Sequence, residues 1–363
     1  MRWVVIMAGG SGERFWPLSR TNKPKQLLNI AGRSSLVRQA YQRARLLCPA
    51  ERICVVTGGN LKSSIRKEIK ELPEKNIFLE PMIRDTAACI GLSAFLIQQR
   101  DSTAVMAVFP ADHVIKNASF FKTILKDSFR AAREGYFITL GIRPSLPSTA
   151  YGYIEKGKAL DRHGKTVFYS VRKFHEKPGK SRAKRFFHSG RFFWNSGIFV
   201  WKAEDFLLSL KRHLKKTYDG LSSLKPFLRS PRKIQRRLKK IYPFFPRISV
   251  DYAVMEKVKN VLVAIPPRNF LWDDIGSWSS LERHYPKDRK GNVCLGQVLS
   301  EDAEKTVVVN RSSQMLAATV GTKDLVIVLT DDALLVCPKE RDQDIKKILK
   351  KIDQKKQLRK RFR

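Results

Sequence analysis

The chain has 363 residues and is 43% hydrophobic, which supplies a substantial core and, at this length, suits more than one domain. Lysine and arginine number 71 against 33 acidic residues, a formal net charge of +38; no RNP motif, zinc finger or helix-turn-helix pattern accompanies that excess, so it reads as a solvated basic face with at most an accessory polyanion contact. No apolar run approaches the roughly 18–20 residues of a bilayer span, and the first apolar stretch is too short for a signal peptide, so a soluble cytoplasmic protein is expected.

Five cysteines (Cys48, Cys54, Cys89, Cys294, Cys337) are scattered without a CxxC pair among mostly apolar neighbours. The pattern predicts buried free thiols in a reducing compartment and no zinc site.

Up to about residue 137, apolar runs alternate with helix-like segments. Strands are predicted at 4–8, 53–57, 77–79, 105–109 and 137–140, and helices at 35–47, 61–71, 86–99 and 119–133. This alternation implies an α/β fold with a mostly parallel sheet and helices on both faces, binding ligands beyond the carboxyl ends of its strands. Between about 151 and 278, strands at 151–155, 167–175, 197–201 and 261–266 surround a basic helical excursion at 204–241, a second lobe facing the first. From 291 to 337, β-rich segments such as 306–309 and 325–329 alternate with turns, without a glycine-punctuated repeat. A small appended β module is expected there. The last segment is a basic amphipathic helix with Ile345, Ile348, Leu349 and Ile352 on one face, suited to docking on the protein or on a second subunit. The expected division is 1–285, with lobes of about 1–140 and 141–285, and 286–363.

The most informative segment is the first: Val4-Val5-Ile6-Met7-Ala8 breaks into Gly9-Gly10-Ser11-Gly12-Glu13-Arg14, followed by Pro24-Lys25-Gln26. A buried strand emptying into a glycine-rich turn trailed by cations is a phosphate-handling pattern. Backbone N–H groups approach the oxygens while Arg14 and Lys25 supply countercharge. A Walker A loop is excluded, because Gly12 is followed by Glu13 and Arg14, and a dinucleotide fingerprint is excluded by Phe15 where a third glycine belongs.

Asp112, in Pro110-Ala111-Asp112-His113 directly after a strand, is placed to hold a hard divalent cation beside phosphates; a turn or cap role explains a lone aspartate as well. Trp272-Asp273-Asp274-Ile275-Gly276-Ser277-Trp278 offers a second acidic corner. One aspartate from each half of the chain, on one Mg²⁺, ties the lobes together across a phosphate. Glu80 or Asp85 can accept hydrogen bonds from the N1–H and N2 amino group of a guanine, and a helix cap explains Asp85 equally. In the second lobe, Tyr151-Gly152-Tyr153, Phe174-His175-Glu176-Lys177-Pro178 and Trp194-Asn195-Ser196-Gly197 suit sugar hydroxyls and, through Lys177, a sugar phosphate.

As an ordered set these blocks resemble the nucleoside-diphosphate-sugar pyrophosphorylases, and among them the mannose-1-phosphate guanylyltransferases. Ser249-Val250-Asp251-Tyr252-Ala253-Val254-Met255-Glu256-Lys257 adds a further block, and together they span 4 to 278. The resemblance implies a Rossmann-like nucleotidyltransferase fold and the small β domain of that family at 291–337. It assigns Arg14 and Lys25 to catalysis, with Ala8, Gly9, Gly10, Ser11, Gly12, Glu80, Asp85, Thr86 and Asp112 to the nucleotide. Asp112 and Asp274 are assigned to Mg²⁺, and Tyr151, Gly152, Glu176, Lys177 and Asn195 to the sugar phosphate. Asp85 stands where many members have Asn, Ala88 where many have Pro, and the high cation count is not a family trait. Many bacterial members continue into a cupin-type isomerase domain that this chain is too short to hold, so a monofunctional enzyme is expected.

The implied partners are GTP and mannose 1-phosphate, with neither a membrane nor nucleic acid expected and a homo-oligomer left open. The implied reaction is in-line attack of the sugar phosphate on the α-phosphorus, needing no protein nucleophile and no general base. Two rivals stand beside it. One is the same reaction on another nucleotide or sugar 1-phosphate, such as heptose or glucose 1-phosphate. The other is a nucleic-acid-binding protein on this fold.

Overall fold

The computed structural model describes residues 1–10, 12–160 and 164–363. The main sheet is built from β1 (Arg2–Met7), β2 (Ile53–Gly58), β3 (Ile77–Glu80) and β4 (Val105–Pro110), with β6 (Phe137–Ile142), β7 (Tyr153–Ala159), β8 (Phe168–His175), β9 (Phe192–Lys202) and β10 (Val261–Ala264). Its order is β3-β2-β1-β4-β9-β6-β10-β8-β7. The neighbours β3–β2, β2–β1, β1–β4 and β6–β10 run parallel; the remaining neighbours along the order run antiparallel. The expectation of a mostly parallel sheet is therefore corrected to a mixed one. The cause is β9. The crossover from β4 to β6 leaves a slot between two strands of the same direction. The long β9, of which only its second half was predicted, fills that slot running the other way.

Helices cover both faces. On one side lie α1 (Leu36–Arg45), α2 (Lys62–Glu68) and α4 (Ala118–Arg133); on the other lie α3 (Asp85–Gln98), α6 (Ala203–His213), α7 (Lys215–Ser222) and α8 (Pro231–Ile241). The shorter α5 (Lys180–Ser189) follows β8. Alternation along β1 shows why two layers form. Val4 and Ile6 enter the first core while Trp3 and Val5 enter the second. The helix α3 is buried nearly all round, as a helix sandwiched between a sheet and the α6–α7 pair must be. A two-stranded ribbon, β5 (Val114–Ile115) with β11 (Trp272–Asp273), fastens the segment after Asp112 to the acidic corner of the second lobe.

The last fifth of the chain winds rather than alternates. In it β12 (Val293–Leu295), β14 (Val307–Asn310) and β16 (Leu325–Leu329) stack in parallel, with β17 (Leu334–Pro338) antiparallel at the end; β13 (Val298–Glu301) and β15 (Ala317–Val320) form a second parallel wall. Val293, Val307 and Val326 are in register, so successive coils differ in length, which hides the repeat from a fixed-period reading. The helices α9 (Ile345–Gln354) and α10 (Lys356–Phe362) close the chain. Ile345, Leu349 and Ile352 are buried against Phe15, Trp16 and the coil valines. Ile348, predicted on the same face, is 43% exposed. Cys48, Cys54 and Cys89 are buried, whereas Cys294 is exposed and Cys337 half-buried, correcting the expectation that all the thiols are buried. Among the described residues no helix is long and apolar enough to cross a membrane.

Candidate active site

The glycine turn leaves β1 at the carboxyl end of the parallel strands and is held from beneath by the Pro-Lys-Gln segment. Gln26 Nε2 donates to the carbonyl oxygens of Ala8, at 2.9 Å, and Gly10, at 3.0 Å. Thr57 Oγ1 donates to the same Ala8 oxygen. Gly12 sits at φ +60°, and a Cβ there would fall 2.3 Å from Lys25 Cβ and 2.4 Å from Lys25 N, so only glycine allows this approach. Ser11 lies outside the described residues.

Lys25 joins the two halves of the site. Its ammonium donates to Asp112 Oδ2 at 2.7 Å and to the main-chain oxygen of Asp274. Burial alone raises the Asp112 carboxyl, but the Lys25 ammonium and the adjacent His113 outweigh it and hold it below the ordinary aspartate value. His113 is buried, and that burial pushes its imidazole down. Its Nδ1 accepts from Trp272 Nε1 at 3.2 Å, and its carbonyl accepts from Arg43. These contacts tie both the ring and the backbone of His113 into the scaffold.

The predicted carboxylate pair is divided by its backbone. Asp273 turns inward, where it accepts from Arg283 Nε and Nη2, from the Ile275 amide at 2.8 Å, and pairs with His284 Nε2 at 3.0 Å. Burial opposes its charge, yet those donors hold its pKa far below the usual range. Asp274 faces the site. Its Oδ1 accepts from Tyr151 Oη at 2.8 Å, and burial together with that carboxylate drives the phenol upward. The corner is fixed at Ile275, which is fully buried yet takes φ +41°, a conformation unusual for a β-branched residue. Arg14 reaches the same corner: a Cβ on Gly276 would lie 3.4 Å from Arg14 Nη1 and 3.6 Å from Asp274 Oδ1. Arg14 also donates to Gln343 Oε1 at 3.0 Å, in the turn that precedes α9.

The Lys25 ammonium bonds the Asp112 carboxylate and the main-chain oxygen of Asp274, whose own carboxylate, a second hard oxygen donor, is held by Tyr151. No other described side chain bonds the second oxygen of either carboxylate. That donor set fits a divalent ion held by one or two carboxylates and completed by phosphate and water oxygens.

Two adjoining cavities open beside the glycine turn. One, of about 790 Å³, is lined by Gly9, Gly10, Glu80, Arg20, Lys239 and Arg363 among others. The other, of about 420 Å³, is lined by Ala8, Gly9, Gly10, Glu80, Asp85 and Asp112, with Thr86 and Arg247 at its edge. Glu80 thus faces both. Asp85 is the first residue of α3, takes φ +64°, and its Oδ1 accepts from the adjacent Thr86 amide at 2.7 Å; it does not cap the helix, and it lines the smaller cavity. The Thr86 hydroxyl accepts from the Val250 amide at 2.8 Å and is committed to the scaffold.

The second-lobe residues also converge. A Cβ on Gly152 would lie 2.6 Å from Glu176 Oε2 and 3.7 Å from Asn195 Cβ. Lys177, at φ +40° and largely exposed, pairs with Glu176 Oε1 at 3.2 Å. The Asn195 amide donates to Asp251 Oδ1 at 2.6 Å, and its oxygen accepts from Thr139 Oγ1 at 3.1 Å. Asp251, a residue given no role from sequence, is pushed up to about 6 by burial, with the Glu176 charge adding to the rise. Its only sequence signal was membership of the 249–257 block. Gln26 and Tyr242 were likewise given no role. The first lies within a matching block; the second directly follows the basic excursion, in a turn that carried no motif.

Comparison with known proteins identifies the family. The nucleotidyl transferase family matches residues 3–291, and a mannose-phosphate isomerase/GMP-like beta-helix domain matches 296–352. The chain is 35% identical over 359 residues to a mannose-1-phosphate guanylyltransferase of Klebsiella pneumoniae, covering 96% of this chain and 74% of that protein. It is 35% identical to one of Escherichia coli K12, covering 96% and 73%. A crystal structure from Thermus thermophilus, described as a mannose-1-phosphate geranyltransferase, superposes with a TM-score of 0.84 at 31% identity, covering 97% of this chain and 99% of that one. The chain belongs to the nucleotidyl transferase family, in the branch that holds the mannose-1-phosphate guanylyltransferases.

Proposed function

We propose that the protein transfers a guanylyl group from GTP to α-D-mannose 1-phosphate, giving GDP-mannose and pyrophosphate. The observation that carries the site assignment is the Lys25 ammonium bridging Asp112 and Asp274 at the mouth of the glycine turn. A dianionic sugar phosphate oxygen attacks the α-phosphorus in line; the new P–O bond forms as the bond to the β-phosphate oxygen breaks, and pyrophosphate leaves with that electron pair. No proton has to move, so neither His113 nor His175 is needed as a base. The obstacle is repulsion between anions and the charge that builds on the leaving group. Arg14, Lys25 and the N–H groups of the glycine turn face that charge from fixed positions. Asp112 and Asp274 would hold Mg²⁺, which when bound supplies charge neutralisation and orientation of the phosphates. Glu80 accepts from the guanine, with Asp85 at the cavity edge. Tyr151 orders Asp274, while Gly152, Glu176, Lys177 and Asn195 form the sugar-phosphate wall.

The test is a panel of NTPs against hexose and heptose 1-phosphates, with and without Mg²⁺, read by released pyrophosphate. The reading expects GTP with mannose 1-phosphate to lead by at least about tenfold in kcat/KM. Another pair in the lead reassigns the substrates, and absence of pyrophosphate from every pair overturns the reading.

A further inference from the structure

Glu80 ends β3, the outermost strand of the sheet, and would be expected to face solvent; instead it is 8% exposed. What covers it is the turn that follows the basic excursion. The chain leaves α8 and turns at once, and Tyr242, fully buried, donates its hydroxyl to Glu80 Oε1 at 2.5 Å. One residue earlier on β3, the Leu79 carbonyl accepts from Gln235 Nε2 of α8 at 3.3 Å. Arg84, on the loop after β3, donates to the Pro243 carbonyl in the same turn. The Tyr242 ring is seated on Phe245, with centroids 5.0 Å apart. The other carboxylate oxygen points at the glycine turn, where a Cβ on Gly9 would lie 3.4 Å from Oε2.

We infer that Tyr242 is a positioning residue for base selection: by holding one oxygen of Glu80, it aims the other at the donor edge of a purine in the cavity. The inference rests on the proposed role of Glu80 as guanine acceptor. A carboxylate accepts from both N1–H and the N2 amino group only if it is ionised and its plane is fixed. Burial pushes the Glu80 carboxyl up, whereas donation from Tyr242 and from the Cys89 thiol opposes that rise. Without the hydroxyl, Glu80 rotates more freely and carries a proton more often, which turns an acceptor into a donor facing donors. The turn that follows the basic excursion thereby contributes an uncharged residue to specificity.

The experiment compares Tyr242→Phe and Glu80→Gln with the wild type, using GTP and ITP. ITP presents N1–H but lacks the N2 amino group. The wild type should favour GTP, and Tyr242→Phe should cut that preference by about tenfold. The loss should lie in the KM for GTP, with kcat and the KM for mannose 1-phosphate within twofold. A purely structural role would move all three together. If Glu80→Gln loses GTP preference but Tyr242→Phe keeps it, the positioning role is overturned and the Glu80 reading stands. If Glu80→Gln keeps the preference, both are overturned.

Discussion

Lys25 lies directly against Gly12, close enough that a methyl group on the glycine would fall 2.3 Å from Lys25 Cβ and 2.4 Å from its backbone nitrogen. The glycine turn and Lys25 are therefore one packed unit. Gly12→Ala combines a left-handed backbone that costs about 1–2 kcal/mol for a residue with a Cβ with that steric overlap. It should lower stability by at least about 2 kcal/mol in urea unfolding and depress kcat/KM together with it. A stable variant of normal activity would show that the two segments are not coupled.

Removing the cation or the anion at the bridge should separate chemistry from folding. Lys25→Ala should lower kcat/KM by about two to three orders of magnitude, with a larger effect than any change in sugar affinity. Asp112→Ala should abolish metal-dependent turnover, while circular dichroism remains that of the wild type. Chelation of divalent ions should stop the wild-type reaction and Mg²⁺ should restore it. A near-normal kcat for Asp112→Ala removes it from the site.

The two adjacent aspartates should behave oppositely. Asp273 is 8% exposed and tied to Arg283 and His284, the first half-exposed and the second buried. Asp273→Ala should cost about 2 kcal/mol of stability, whereas Asp274→Ala should leave stability close to wild type and remove turnover. Because the folded-state pKa of Asp273 is depressed, its stabilisation is fully present above the unfolded value near 4 and is lost as pH falls below it. Asp273→Asn should flatten the acid limb of the stability curve, measured by denaturant midpoints from pH 2 to 6.

Asp251 has the opposite sign. Its folded-state value of about 6 exceeds the unfolded one, so the native state holds the extra proton between about pH 4 and 6, and stability falls as pH rises through that window. Asp251→Asn should raise stability at pH 7–8 by about 1 kcal/mol. It should also raise the KM for the sugar phosphate and leave that for GTP unchanged. An unchanged sugar KM would make Asp251 a scaffold residue alone.

Local patterning explains what was legible. The continuous apolar run of β1, buried on both faces, and the helical period of α1 and α4, each with one buried face, made their positions readable to within a few residues. The glycine turn was readable because only glycine tolerates the contact at Gly12. By contrast, β9 could not be ordered from sequence. A strand buried on both faces looks the same whichever direction it runs, and its place between β4 and β6 depends on a slot left by other elements. The coil of the last module was hidden because Val293, Val307 and Val326 align through turns of unequal length.

The chain by itself determined the chemical inventory: a glycine turn with Arg14 and Lys25, acidic residues from two distant segments, and the resemblance these carry in order. Tertiary structure alone decided which of the neighbours Asp273 and Asp274 faces the site, since a single backbone turn at Ile275 sends one carboxylate to Arg283 and the other to Tyr151. It also decided that Glu80 is held by Tyr242, 162 residues away. Contacts of that kind arise from packing between distant elements, and no local pattern of residues encodes them.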